Sequence, residues 1–207
     1  MTLLICSAID AELSPLAALL NAQKINEGHY KAAGMEFSAL GVGVLLAALK
    51  LAELLAKSQY SEVIFTGSAG IYPGHGLEMG QLVEVNRAVL FDPSAEQGQG
   101  HYAQLQGGRQ IPAGPRRFDL PRVAAASGIA ITSDNQAAKR ITQSHGAQVE
   151  NLELFGVALA AWQAQKSWSA VLGLTNQVGR QGQKEWKANY LELGGKACRF
   201  LADKLSR

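Results

Sequence analysis

Short apolar runs of strand length alternate with longer amphipathic or Ala/Leu-rich stretches along most of this chain, and that alternation admits few folds. Residues 3–9 read as a buried strand. A helix follows, with Asp10 as its cap, Pro15 in its early part, and Leu13, Leu16, Ala17 and Leu20 on one face. Residues 35–42 read as a strand, 45–57 as a helix behind Gly41 and Gly43, and 62–66 as a third strand. That strand ends in the glycine-rich turn Gly67-Ser68-Ala69-Gly70. Residues 82–90 read as an extended strand, 129–132 as a strand, 135–144 as a helix and 147–152 as a strand. A helix over 154–165 and a core strand over 169–174 come next. A closing helix spans 183–204, with a break near Gly194-Gly195. Strands interleaved with helices predict an α/β fold, and 207 residues suit one domain over 1–207. Residues 92–121 lose the pattern to Gly, Gln, Pro and Arg, and read as a lid or a mobile surface loop.

Charge narrows the function classes. Nineteen basic residues against seventeen acidic ones leave +2, too even a balance to imply nucleic acid. No apolar stretch is long enough for a membrane span, and the first residues read as a strand, not a signal peptide. The cytoplasm is the expected location. Cys6 and Cys198 lie in apolar segments and are expected as buried free thiols. His29, His75, His101 and His145 are scattered, which predicts no metal site and loop or solvated positions for them.

Two familiar chemistries fail on spacing. A nucleophile elbow needs glycine two residues before the serine, and Thr66 stands there before Ser68. A dinucleotide fingerprint fails at Leu46, where the third glycine belongs. Carboxylates remain. Val149-Glu150-Asn151-Leu152-Glu153 places two acids between an apolar strand and an apolar helix. They serve either as complements to the helix macrodipole or as cleft carboxylates that grip hydroxyls or stabilise positive charge. Glu12, Ser68 and Glu153 each fall just beyond a strand end, where α/β folds carry their sites. The Gly67–Gly70 turn is either a tight strand exit or a set of N–H donors. Asn176 is either a turn asparagine or a partner for a planar polar ligand. Arg180, Lys184 and Trp186 form either a solvated face or a contact for an anionic or aromatic group.

In order and spacing, several segments resemble the nucleoside phosphorylase and nucleosidase superfamily over nearly the whole chain. They are Ala8-Ile9-Asp10-Ala11-Glu12-Leu13, Gly41-Val42-Gly43, Thr66 to Gly70, Thr132-Ser133-Asp134, Val149 to Glu153 and the strand ending at Asn176. The resemblance implies a three-layer fold with a central mixed, twisted sheet flanked by helices. Phosphorylases of the superfamily carry an arginine before the glycine-rich segment, and Phe65-Thr66 stand here, which favours water as the acceptor. The run Thr175 to Arg180, followed by Trp186, is most similar to futalosine hydrolases, which release hypoxanthine in menaquinone synthesis. Methylthioadenosine/adenosylhomocysteine nucleosidases, purine nucleoside phosphorylases and a non-catalytic nucleoside-binding member are the alternatives. By this resemblance Glu12 is the general base, Glu153 holds the ribose hydroxyls and the cationic sugar, and Asn176 hydrogen-bonds the departing purine. Ser68, Ala69, Gly70, Asn151 and Leu152 line the substrate site, and Arg180 meets a substrate carboxylate. No cofactor is implied, and a homo-oligomer is expected, with the helix near Leu45 to Leu55 as a candidate interface. Leu154-Phe155 replace the small residues usual after the second glutamate, and their bulk is expected to narrow the ribose pocket or shift the helix.

Overall fold

The computed structural model describes residues 2–206. The elements run β1 (Thr2–Ser7), α1 (Asp10–Leu19), β2 (Gln23–Asn26), β3 (His29–Ala32), β4 (Met35–Ala39), α2 (Val44–Lys57) and β5 (Tyr60–Ile71). They continue with β6 (Leu82–Leu90), α3 (Pro93–Glu96), β7 (Gln110–Pro112), β8 (Arg122–Ser127), α4 (Asn135–His145) and β9 (Val149–Glu150). The last three are α5 (Leu154–Gln163), β10 (Ser167–Gln177) and α6 (Gly182–Leu205).

All the described strands join one mixed sheet. β1 lies between β4 and β5, parallel to both. The long β5 also runs parallel to β10, and its last residues pair antiparallel with β9. β9 pairs β8, β8 pairs β6, and β6 returns to β10, so five strands close a ring.

Central strands here are apolar on both faces, as a covered sheet requires. Leu4, Cys6, Val63, Phe65, Ala170 and Leu172 pack on one side with Ala47 and Leu51 of α2 and Val157 of α5. Ile5, Ile64 and Val171 face the other way, against Leu13 and Leu16 of α1 and Leu201 of α6. The alternation gives the expected three layers of helix, sheet and helix. Both cysteines are free and buried. No helix among the described residues is long and apolar enough to cross a membrane.

Several boundaries move from their sequence-based positions, each for a physical reason. Gly67–Gly70 is not a turn but the second half of β5. Its small residues let side chains crowd that strand: a Cβ on Gly70 would lie 2.8 Å from Asn176 Nδ2 and 2.8 Å from Val178 Cγ2. The strand expected at 129–132 is irregular, and the strand of that region is β8, at 122–127. Its alanines favour strands weakly alone, but burial against neighbours on the sheet decides. β9 keeps only two residues of the expected 147–152. The hairpin β2–β3 is exposed along β2, so its sequence lacks the apolar run that marks a strand. Asp10 is not the cap of α1: Ile9 holds that position, and the Asp10 carboxylate accepts from Tyr30 OH at 2.7 Å.

α6 runs unbroken through Gly194-Gly195. The glycines serve close packing there, since a Cβ on Gly173 of β10 would meet Leu193 O at 2.6 Å and Gly194 Cα at 3.0 Å. Residues 92–121 hold α3 and β7 and bury Ile111 and Phe118. Near Gly114 and Arg117 the segment packs on Ser167 and Glu62, at the amino ends of β10 and β5. That is the end of the sheet away from the cavity described next, and no residue of the segment lines that cavity.

Candidate active site

The carboxyl ends of β1, β4, β5, β9 and β10 surround a cavity of about 210 Å³. Glu12 reaches it from the first turn of α1. Its Oε1 accepts from Ser68 Oγ at 2.6 Å and from Ser68 N at 3.1 Å. The absent side chain of Gly67 leaves room for this carboxylate, since a Cβ there would lie 3.1 Å from Oε2. Glu153 enters from the start of α5, and its Oε1 accepts from Gly43 N at 2.8 Å. Gly43 has φ +92, a left-handed conformation that suits glycine and aims its N–H at the acid.

Burial raises the Glu12 pKa, while the Ser68 hydrogen bonds favour the ion and oppose the rise. Burial pushes Glu153 up to about 7, and the charge of Glu12 adds to the effect. Two acids this close and this buried do not both ionise freely, and a cation between them would relieve both. The site is therefore suited to a reaction that develops positive charge on its substrate.

Asn176 and Glu150 flank Gly70 on adjacent strands, at matching register. The Asn176 side chain accepts from Thr175 Oγ1 at 2.9 Å and donates to Gln177 O at 3.1 Å. One amide hydrogen and one lone pair remain for a ligand. Glu150 accepts from Tyr72 OH at 2.8 Å, Thr132 Oγ1 at 2.5 Å and Thr132 N at 3.2 Å. Burial raises its pKa, and the Thr132 and Tyr72 hydrogen bonds oppose the rise. It therefore pins the irregular segment that brings Ile131 to the cavity wall. Asn151 is also committed within the protein. Its Nδ2 donates to Ser68 O at 3.0 Å, and its Oδ1 accepts from Glu153 N at 3.1 Å and Leu154 N at 2.9 Å. Asn151, rather than either acid, satisfies the first N–H groups of α5.

No protein-family model matches the chain, and no curated protein sequence does. Solved structures match closely in shape. Futalosine hydrolase of Helicobacter pylori has a TM-score of 0.86 at 15% identity, covering 100% of this chain and 97% of that one. The S-adenosylhomocysteine nucleosidase of Streptococcus pyogenes, in complex with 5-methylthiotubericidin, has a TM-score of 0.82 at 22% identity, covering 98% and 94%. The H. pylori 5′-methylthioadenosine/S-adenosylhomocysteine nucleosidase with butyl-thio-DADMe-Immucillin-A has a TM-score of 0.87 at 14% identity, covering 100% and 98%.

The chain has the nucleosidase fold. In that fold the cavity gathers Glu12, Ser68, Ala69, Gly70, Asn151, Leu152, Glu153 and Asn176, all singled out from sequence. Arg180 is not among its lining residues. Its side chain is exposed, and its backbone N donates to Asn135 Oδ1 at 3.0 Å. Leu154 and Phe155 do not narrow the cavity, because both are buried in the core on the α2 side. His145 is neither solvated nor in a loop: it ends α4, buried, with its Nε2 2.8 Å from Glu96 Oε1. Among the described residues no cluster of His, Cys, Asp and Glu is arranged to hold a metal.

Ile9, Val42, Ile131 and Gln183 received no site role from the sequence, and Trp186 stood only in the cluster with Arg180 and Lys184 and in the run similar to futalosine hydrolases; all five line the cavity. Gly182 and Gln183 stand four and three residues before Trp186 on α6, a helical spacing that could have marked them. Ile131 carried no such signal, because its position depends on the distant Glu150.

Proposed function

We propose that this protein hydrolyses the N-ribosidic bond of a purine nucleoside. The observation that carries the reading is a cavity lined by Glu12, Glu150 and Glu153 and, among the described residues, by no lysine, arginine or histidine. A phosphate dianion would find no counter-charge there, whereas a cationic sugar and a neutral water would be favoured. Phe65 and Thr66, which stand where the phosphorylases carry an arginine, are both buried, and neither brings a charge to pair with phosphate.

In the proposed reaction Glu12 removes a proton from water, and the oxygen bonds to the anomeric carbon as the carbon–nitrogen bond to the purine breaks. The transition state resembles an oxocarbenium ion, as in glycoside hydrolysis. Glu153, held by Gly43 N–H, accepts from the ribose hydroxyls and stabilises that cation. Asn176 hydrogen-bonds the base, whose departing electron pair takes a proton from a second water, since an amide cannot supply one; the hydroxide left behind takes back the proton held by Glu12, which restores the carboxylate and leaves one water consumed. Futalosine is the first substrate proposed, which would give hypoxanthine and serve menaquinone synthesis. Methylthioadenosine and adenosylhomocysteine are the next. We assign self-association to the exposed face of α2, where Leu45, Leu46 and Leu49 continue from Val42 at the cavity rim.

The test incubates the purified protein with futalosine, methylthioadenosine, adenosylhomocysteine, adenosine and inosine, with and without phosphate, and measures free base. Base release at equal rates in both conditions is expected. Strict phosphate dependence would make the protein a phosphorylase, and binding without turnover a non-catalytic module.

A further inference from the structure

The indole of Trp186 has no role in the scheme above, yet a chain of hydrogen bonds joins it to the proposed base. Trp186 Nε1–H donates to Ser68 Oγ over 2.9 Å. Ser68 Oγ–H donates onward to Glu12 Oε1 over 2.6 Å, within the range of charge-assisted hydrogen bonds. The three residues come from α6, β5 and α1, so the chain ties the two helices on one face of the sheet to the end of the central strand. The indole itself is held by stacking on Tyr190, with centroids 4.5 Å apart and planes 21° apart.

The direction of this chain follows from the groups. An indole N–H only donates, and a hydroxyl has one hydrogen and two lone pairs. With Trp186 occupying a lone pair of Ser68 Oγ, the serine hydrogen is directed to Glu12. Ser68 N–H converges on the same Oε1. Both donors thus hold one oxygen of the carboxylate, and Oε2, beside Gly67, keeps its lone pairs for a proton. Removing the indole N–H would free the serine hydroxyl to rotate toward water or a substrate oxygen, and Glu12 would lose its shortest hydrogen bond.

We propose that Trp186 is a positioning residue which, through Ser68, fixes Oε2 of Glu12 as the basic oxygen and sustains the ionised carboxylate. This rests on the reading of Glu12 as the general base. The consequence for rate lies in turnover more than in binding, because Trp186→Phe keeps an aromatic wall and its stacking partner.

Two measurements test the proposal, one of them independent of catalysis. The indole N–H resonance of Trp186 in isotope-labelled protein, assigned by its loss in Trp186→Phe, is followed without substrate between about pH 4 and 9. We expect an inflection above the ordinary glutamate range that disappears in Glu12→Gln and in Ser68→Ala. On a nucleoside that turns over, Trp186→Phe should lower kcat about tenfold, leave KM within about threefold and move the acid limb to higher pH. In a Ser68→Ala background the same change should have no further effect. An indole resonance indifferent to Glu12, or a Trp186→Phe effect that adds in full to Ser68→Ala, overturns the proposal. An indole coupled to Glu12 in a protein that cleaves no nucleoside would support the hydrogen-bond chain while refuting the hydrolase reading.

Discussion

Replacing Glu153 by glutamine should make the protein more stable at alkaline pH and leave it nearly unchanged in mild acid. The Glu153 carboxyl is raised from 4.5 to about 7 in the folded protein, chiefly by burial. Between those values the folded protein holds a proton that the unfolded chain has released, so stability falls as pH rises through the window. Each tenfold change in proton affinity is worth about 1.4 kcal/mol, so ionising Glu153 in place costs the folded state about 3 kcal/mol. Glutamine is neutral throughout and keeps an oxygen for the Gly43 N–H that Glu153 now accepts. Glu150 is also raised by burial, but it is present in both proteins and largely cancels in the difference, while the effect of the Glu12 charge is already contained in the raised value for Glu153. The assay is urea unfolding of both proteins without substrate, at pH values from about 4.5 to 8, with the slopes compared as a check on the unfolded state. Equal stabilities near pH 4.5 and a variant ahead by about 3 kcal/mol near pH 8 are expected. Stability curves that stay parallel across the whole range would refute the placement of a strained, buried acid at Glu153.

Other substitutions probe the supports of the site. Gly70→Ala should cost about 1–3 kcal/mol and displace Asn176, because the new methyl would lie 2.8 Å from its Nδ2; urea unfolding and base-release kinetics should both register the change. Leu154→Ala should cost about 2–5 kcal/mol by leaving a core cavity while KM stays unchanged, since Leu154 is buried away from the site; unfolding and steady-state kinetics together check this. Thr132→Val removes the 2.5 Å hydrogen bond to Glu150 and should cost about 1–3 kcal/mol, more at high pH where Glu150 is ionised, as read by unfolding at two pH values.

The parts of this structure legible in the sequence are those with local causes. The apolar runs of β1, β6 and β10 and the one-sided leucines of α1 mark their elements because burial repeats at a fixed period. The Glu12, Ser68, Glu153 and Asn176 group was legible because each lies at or just beyond the carboxyl end of a strand, at the same sheet end. What escaped depends on contacts between distant residues. β8 is Arg122-Val123-Ala124-Ala125-Ala126-Ser127, a strand held by its neighbours rather than by its own preference. Gly67 and Gly70 look like a turn until the side chains of Glu12 and Asn176 are seen to occupy the space their Cβ atoms would need. Leu154 and Phe155 look obstructive beside Glu153, yet the turn set by Asn151 sends them into the core. Trp186 stands far from Ser68 in sequence, and nothing local reveals their hydrogen bond.

The central claim is that the Glu12 carboxylate activates water against a purine nucleoside. Free-base release by the unmodified protein and by Glu12→Gln, on the nucleoside cleaved fastest and without phosphate, tests it most directly. The account predicts turnover in the first and a loss of at least about a hundredfold in the second, with unfolding curves showing that the variant is folded. A folded Glu12→Gln protein that releases base at the unmodified rate would contradict it.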